Sequence, residues 1–221
     1  MSAAGSAARS SGLPGNSAGQ SPAVAPSAQP VRRQRGVQRI ETLLGAAAKV
    51  FAAKGFDAAT MTEIAAAAES SIGSLYQFFP TKEGVAEALM QSQAAALGAR
   101  LAVLEADSPV SDLDALSDRL CGTLVEFRAA HPSFAGLIEA PGAPGVITGR
   151  IRQQLRLHLA AILAPHAPGM RKPRLLAIAS VVQQVMKAAV ALNAEPGAPG
   201  RAALAELRLM LRAYLRAALA R

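Results

Sequence analysis

Hydroxyl, amide and phenol side chains lie close together with a glycine between residues 71 and 79. In this stretch Leu75, Phe78 and Phe79 recur at spacings of three and four, which predicts a helix whose core face carries these side chains. The other face, called the reading face below, then carries Ser71, Gly73, Ser74, Tyr76 and Gln77. Serine and glutamine can hydrogen-bond base edges, tyrosine can reach a phosphate, and glycine lets the backbone approach a groove wall. This combination predicts non-covalent recognition of DNA.

A basic residue extends the predicted site beyond this helix. Lys82 follows Pro80, which ends the helix, and Thr81, which can cap the next one. A positive charge beside the free amide groups of a helix start suits a phosphate. The alternative is an ordinary buried hairpin, with Tyr76 in the core and Lys82 in solvent.

Helix-capping and helix-breaking residues before residue 71 predict the helices that position this site. A first helix is predicted over residues 33–54, and Gly55 stops it. Its core-facing residues would be Val37, Ile40, Leu44, Ala47 and Phe51. Thr60 and Glu63 match a capping box, which predicts a short helix over residues 61–68. Two short helices joined by a tight turn on a longer first helix form the helix-turn-helix arrangement.

The composition of the whole chain favours helices over sheets. Of 221 residues, 51% are hydrophobic but only 4% are aromatic, so alanine and leucine supply most of the apolar content. An all-α fold of about nine helices is therefore predicted. The net charge of +8 indicates a polyanionic partner, either nucleic acid or an anionic membrane surface. The single cysteine, Cys121, is expected to be a small buried apolar residue rather than a redox-sensing thiol.

Changes in composition predict three segments along the chain. Residues 1–31 are rich in Ser, Ala, Gly, Pro and Gln and are expected to form a disordered tail. Residues 32–80 would form the DNA-binding domain, and residues 81–221 a larger helical domain. Neither a signal peptide nor a membrane-spanning stretch is recognisable, so a cytoplasmic protein with no membrane partner is expected.

A basic run stands at the start of the predicted first helix. It consists of Arg32, Arg33, Arg35 and Arg39. One interpretation is an arm that reaches DNA phosphates or the minor groove. The other is a set of solvated charges that keep the tail soluble, and the sequence leaves both open.

Residues 51–65 and 71–83 resemble the N-terminal domain of the tetracycline-repressor (TetR) family. The shared pattern is an aromatic residue and Gly closing helix one, Thr then Ile-Ala in helix two, Gly-x-Leu-Tyr-x-x-Phe in helix three, and Lys-Glu after it. The resemblance covers residues 36 to about 85. It implies an all-helical homodimer with a C-terminal ligand-binding domain, usually a repressor that a small-molecule effector releases from palindromic operator DNA.

The resemblance also assigns DNA contacts by motif position. They are Met61, Thr62, Ser71, Gly73, Ser74, Tyr76, Gln77 and Lys82. The family usually has Gly in the turn between helices two and three, but this chain has Ala68-Glu69-Ser70. A left-handed backbone there would cost roughly 1 kcal/mol more than with glycine. Phe78 also replaces a frequent His, which removes one polar phosphate contact.

Two strongly apolar segments near the C-terminus, residues 174–194 and 201–220, need a partner to cover them. The resemblance implies that these last two helices form a four-helix dimer interface, which would set two recognition helices roughly 34–36 Å apart. Arg208, Arg212 and Arg216 recur every four residues and are expected to form a solvated rim around the apolar stripe.

An effector pocket is expected among the helices between about residues 100 and 190. Side chains that can line an apolar cavity with polar handles are Phe127, His131, Phe134, His158 and Met186. Each of these residue types is more often plain core or surface. In particular, His158 shares a face with apolar residues and can be a satisfied core histidine.

No arrangement of catalytic groups is recognisable in the sequence. The three histidines lack metal-ligand spacing, and neither a phosphate-binding loop nor a nucleophile elbow is present. The chain is therefore expected to be no enzyme and to use no metal or cofactor. The remaining alternative is a helical adaptor or membrane-surface protein without sequence-specific DNA binding.

Overall fold

The computed structural model describes residues 29–110, 112–139 and 145–220. All regular structure in these ranges is helical, which confirms the all-α prediction. The α-helices are α1 (Gln29–Ala58), α2 (Met61–Ala67), α3 (Ile72–Phe78), α4 (Lys82–Asp107), α5 (Leu113–Ala130), α6 (Pro132–Glu139), α7 (Gly145–Leu163), α8 (Lys172–Ala194) and α9 (Ala198–Leu219). Single turns of 3-10 helix follow α4 at Ser108–Val110 and α7 at Ala164–His166.

The start of α1 differs from the prediction. The helix begins at Gln29, so the basic run lies inside it and residues 29–31 of the predicted tail are helical. The rest of the predicted tail, residues 1–28, lies outside the described residues. Pro30 does not prevent this, because the first helical turn has no intrahelical acceptor for its missing N–H. Gly55 interrupts α1 as predicted, with φ +77°, a left-handed value that glycine adopts without strain.

The predicted core face of α1 is only partly confirmed. Leu44, Ala47 and Phe51 are buried, and Ile40 is half-buried, but Val37 is 55% exposed. The prediction for Val37 is wrong because the apolar spacing continues beyond the point where neighbouring helices cover α1. The first fully buried side chain along α1 is that of Leu43.

Helices α4 to α9 pack into one body, which is joined to the first three helices through contacts of α4 and α6 with α1. α4 packs against α1 and α7, and α6 lies against α1. α8 packs among α5, α7 and α9; by length and mean hydropathy, 1.8, it is the one described helix that can cross a membrane. Buried core helices meet the same criterion.

Cys121 in α5 is fully buried as predicted, and burial raises the pKa of its thiol.

The expected solvated rim of α9 is partly confirmed, because the side chains of Arg216 and Arg212 are 64% and 35% exposed. These two arginines are also paired: Arg212 Nη2 lies 2.5 Å from Asp118 Oδ2 on α5, and Arg216 pairs with Asp114 on the same helix. The sequence did not predict the pairing, which arises because α5 packs on α9 and supplies carboxylates at the same spacing of four.

Candidate nucleic-acid interface

The start of α2 is fixed by the predicted capping box. Thr60 Oγ1 accepts from the Glu63 amide at 3.3 Å, and Glu63 Oε2 accepts from the Thr60 amide at 3.1 Å. Lys54 of α1 donates to Glu63 Oε1 at 2.5 Å. The Lys54 hydrogen bond, followed by those from Thr60, lowers the pKa of the Glu63 carboxyl. This carboxylate therefore ties the first turn of α2 to α1.

The turn between α2 and α3 takes the left-handed conformation considered above. Glu69 has φ +49° and is the one non-glycine residue with positive φ among the described residues. The next residue is held from two sides. The Ser70 amide donates to the Ala65 carbonyl at 2.9 Å, and Arg39 Nη2 donates to Ser70 Oγ at 2.5 Å. Two neighbouring helices thus restrain a turn that lacks glycine.

The reading face of α3 points outward. Ser71 caps the helix, its Oγ accepting from the Ser74 amide at 3.2 Å, and Leu75 is fully buried beneath it. Tyr76 is 48% exposed and Gln77 is exposed. Gly73 is also exposed, and a Cβ built there would meet no atom within 4 Å. The buried-hairpin alternative, which required Tyr76 in the core, is therefore wrong.

The prediction that Phe78 faces the core is also wrong, because this side chain is 36% exposed. α3 ends at Phe78, and the extended backbone of Phe79 (φ −135°, ψ 99°) brings the next ring into the core instead. Sequence reasoning missed Ile72, which is 39% exposed on the first turn of α3. Ile72 lies four residues before Tyr76, and this spacing indicates that both side chains lie on the same face of the helix. Exposed apolar side chains at such positions can contact thymine methyl groups.

The remaining predicted contacts, Met61 and Thr62 of α2 and Lys82 of α4, differ in exposure and in bonding. Thr62 is exposed and Met61 is half-buried. Lys82 Nζ donates to the carbonyls of Phe56 at 2.8 Å and Asp57 at 3.0 Å, and lies 4.6 Å from the centre of the Phe56 ring. Two of its three N–H groups are therefore engaged, which contradicts a freely solvated Lys82. No hydrogen-bond acceptor for the third N–H is found among the described residues.

The predicted pocket residues do not meet in one cavity. Phe127 stacks on His131, ring centres 4.3 Å apart, and meets Phe134 edge-on at 5.1 Å. Phe127 and Met186 are fully buried core. His158 lines a separate cleft, with Nδ1 3.6 Å from Glu105 Oε2, so it is not a satisfied core histidine.

That cleft lies between α4 and α7 and has a volume of about 900 Å³. Its walls are mostly apolar, with Leu97, Leu101, Ile151 and Leu155 among them. Polar groups are contributed by Gln91, Arg150, Gln154, His158 and Glu105. An apolar cleft with a few polar groups is typical of a small-molecule site. In the described part of the chain, no group of three or more His, Cys, Asp or Glu residues is arranged to hold a metal ion.

A helix-turn-helix with an outward reading face, joined through α4 to a larger helical body, defines a DNA-binding regulator. Two family models agree with this class. The model of bacterial regulatory proteins of the tetR family matches residues 43–89, and the tetracyclin repressor-like C-terminal domain matches residues 112–215. The chain belongs to the tetR family, whose members are typically non-enzymatic DNA-binding proteins.

Individual relatives support the same assignment. The A-factor receptor protein of Streptomyces griseus is 30% identical over 118 residues, which are 53% of this chain and 40% of that protein. A TetR-family regulator of Streptomyces coelicolor has a similar structure, with TM-score 0.60 and 24% identity, over 82% of this chain and 99% of its own. A TetR-family regulator of Mesorhizobium loti also has a similar structure, with TM-score 0.61 and 19% identity, over 84% of this chain and 97% of its own.

Proposed function

We propose that this chain is a ligand-responsive transcriptional repressor of the cytoplasm that binds palindromic operator DNA as a homodimer. The observation that carries the proposal is the outward reading face of α3, set on a fully buried Leu75. Family membership supports DNA binding, and the S. griseus relative is by name a receptor for A-factor. The match covers less than half of that relative, so its name does not identify the effector of this chain.

Selection of bound sequences from random DNA tests DNA recognition and operator symmetry together. A palindromic motif is expected, since two recognition helices related by a twofold axis read two half-sites. A selection that enriches no sequence would contradict the proposal.

Substitutions in and beside the reading face test the role of each residue in DNA binding. Tyr76→Ala is expected to weaken binding to every DNA sequence, with Tyr76→Phe as the control that removes only the hydroxyl. Lys82→Ala is expected to act in the same way, whereas Gln77→Ala is expected to change the preferred base. Unchanged operator affinity in gel shifts of all three alanine variants would contradict the assignment.

The proposed dimer uses α8 and α9. Val181 is 43% exposed on α8, and Tyr214 and Ala217 of α9 line a groove beside it. Met210, 51% exposed, precedes Tyr214 by one helical turn. Such a row of exposed apolar side chains is suited to a second copy of the same face.

Sedimentation of the full chain tests this interface. Val181→Arg is expected to convert a dimer to monomers at micromolar concentration, because it places a charge in the apolar contact. Val103→Arg is the matched control, since Val103 is 61% exposed on α4. A wild-type chain that sediments as a monomer would contradict the dimer.

The proposed effector site is the cleft between α4 and α7. α4 begins at Lys82, directly after the reading helix, so a ligand that moves α4 acts on the DNA-binding part. Gly98 faces the cleft, where an added Cβ would lie 3.6 Å from His158 Nε2, an ordinary contact. Gly98→Ala is therefore expected to bind effector, whereas Gly98→Phe fills the cleft. A library compound that releases wild-type protein from DNA should fail on Gly98→Phe, and equal release of both variants would place the effector elsewhere.

A further inference from the structure

The floor of the cleft between α4 and α7 is apolar. Ile147, Ile151 and Leu155 follow one another every four residues and so share one face of α7. Leu97 and Leu101 line the cleft from α4, and both are buried. Alanines of both helices form much of the remaining lining, and their short side chains leave a space of about 900 Å³. The cleft can therefore accept an apolar group.

A row of polar side chains runs beside this floor along α7. Arg150, Gln154 and His158 also recur every four residues, and all three line the cleft. At one end of the row, His158 Nδ1 lies 3.6 Å from Glu105 Oε2 of α4. Arg150 lies at the other end, two turns earlier, which is about 12 Å along the helix. The cleft thus has an apolar length with a different polar group at each end.

Arg150 brings a positive charge to its end of the cleft. Its side chain is exposed and takes part in none of the salt bridges among the described residues. Glu105 is the one acidic residue in the described lining, and it lies beside His158 instead. Glu87, one turn outside the cleft, accepts a hydrogen bond from Gln91 Nε2 at 3.2 Å. The Arg150 guanidinium is therefore available to an anion.

The sequence around Arg150 adds to this positive charge. Residues 140–194 contain seven Lys and Arg residues and no Asp or Glu. This range includes the whole of α7 and α8, which pack against each other. A surface with charges of one sign attracts ligands of the opposite sign and disfavours those of the same sign. The wall of the cleft that α7 forms therefore favours an anion over a cation.

We propose that the cleft between α4 and α7 binds an amphipathic monocarboxylate, with the carboxylate on Arg150 and the apolar chain along the floor. This inference rests on the proposed effector role of the cleft and names the class of its ligand. A planar guanidinium can donate two parallel hydrogen bonds to one carboxylate. The Glu105 carboxylate at the opposite end repels a second carboxylate there.

The distance between the two ends sets the length of the chain. Arg150 and His158 are separated by about 12 Å along α7. An extended chain advances about 3.6 Å for every three bonds, so about ten bonds cover this distance. Decanoate has a chain of this length and is the probe for the proposed site.

Calorimetric titration of the full chain without DNA tests the ligand class. Decanoate is compared with 1-decanol and decylamine, which have the same chain but a neutral and a cationic head group. At about pH 7 the carboxyl group is ionised and the amine is protonated. All three are kept below the concentration at which they aggregate. Decanoate is expected to bind most tightly and decylamine most weakly, because the head group lies beside Arg150.

Two arginines of α7 provide the variant and its matched control. Arg150→Gln is expected to weaken decanoate binding roughly tenfold, because it removes hydrogen bonds to a charged group, and to leave decanol binding unchanged. Arg150→Glu is expected to reverse the preference, so that decylamine binds more tightly than decanoate. Arg152→Gln changes the net charge equally and should bind decanoate like wild type, since Arg152 is exposed on the same helix and does not line the cleft.

The outcomes separate the ligand class from the proposed function. A wild-type chain that binds decanoate no more tightly than decanol would overturn the inference, as would an Arg150→Gln variant with wild-type affinity for decanoate. Equal weakening by Arg152→Gln would also overturn it, since net charge alone would then explain the effect. None of these results affects DNA binding, which is measured separately. Decanoate that binds through Arg150 without releasing the operator would contradict the effector role of the cleft and support its ligand class.

Discussion

The arginines of α1 and those of α9 are spaced similarly but have different surroundings. On α9, Arg212 and Arg216 each meet an aspartate of α5. On α1, Arg35 is exposed and forms no salt bridge with the described residues, and Arg39 donates a hydrogen bond to the Ser70 hydroxyl. One row of charge is neutralised by its neighbour, whereas the other remains available to an external anion.

The difference shows that a helix alone does not determine what its charges do. Asp114 and Asp118 lie about a hundred residues before their α9 partners, separated from them by 102 and 94 positions. The hydrogen bond to Asp118 raises the pKa of the Arg212 guanidinium above its ordinary value. Charged rows acquire a structural or a binding role from the helix packed beside them.

The largest expected effect concerns the turn that sets the α9 row against α5. A Cβ at Gly200 would lie 2.7 Å from the Glu195 carbonyl oxygen and 2.9 Å from that of Leu192. Gly200→Ala is therefore expected to lower the free energy of unfolding by about 1–3 kcal/mol. Gly36→Ala in α1, where an added Cβ meets no atom within 4 Å, is the control, and urea denaturation measures both. A Gly200→Ala variant as stable as wild type would contradict this geometry.

A smaller change, an increase in the free energy of unfolding, is expected in the turn between α2 and α3, where Arg39 contacts Ser70. Glu69 holds φ +49°, which glycine adopts without steric cost. Glu69→Gly is expected to raise the free energy of unfolding by about 1 kcal/mol, whereas Glu69→Ala retains the left-handed strain. Equal stability of the two variants would show that the strain is relieved in another way.

Removing an α5 partner should have a still smaller effect. The side chains of Arg212 and Asp118 are 35% and 41% exposed, and water screens such pairs. Asp118→Asn is expected to lower the melting temperature by under about 2 °C. The double variant Asp118→Asn/Arg212→Gln completes a thermodynamic cycle. Additive effects of the single variants would mean that the pair contributes nothing to stability.

The smallest effect is a pH dependence at the capping box. The folded-state pKa of Glu63 is lowered, so its contribution to stability is present above the unfolded-state pKa and is lost as pH falls through the folded-state value. Glu63→Gln should therefore be less stable than wild type near neutral pH, with the gap closing in acid. A constant gap across an acid titration followed by circular dichroism would contradict this.

Local chemistry explains what the sequence could predict. The capping box at Thr60, the end of α3 before Pro80 and the break at Gly55 depend on residues within one turn of each other. Exposure of Val37 and the partners of Arg212 depend on which distant helix covers each face, and no local pattern contains that information. The reading face was predictable because Leu75 fixes its orientation within two turns.

The hydrogen bonds from Lys82 to the carbonyls of Phe56 and Asp57 have a mechanical consequence. They fasten the first residue of α4 to the end of α1, and α1 in turn packs against α2, which packs against α3. With 26 residues, α4 is a lever about 39 Å long. A tilt of about 3° at its far end displaces the fastened end by about 2 Å, as the helix length dictates. The Lys82 ammonium group lies at this moving end, so in the proposed dimer a small rotation of α4 would change the spacing of the two reading helices.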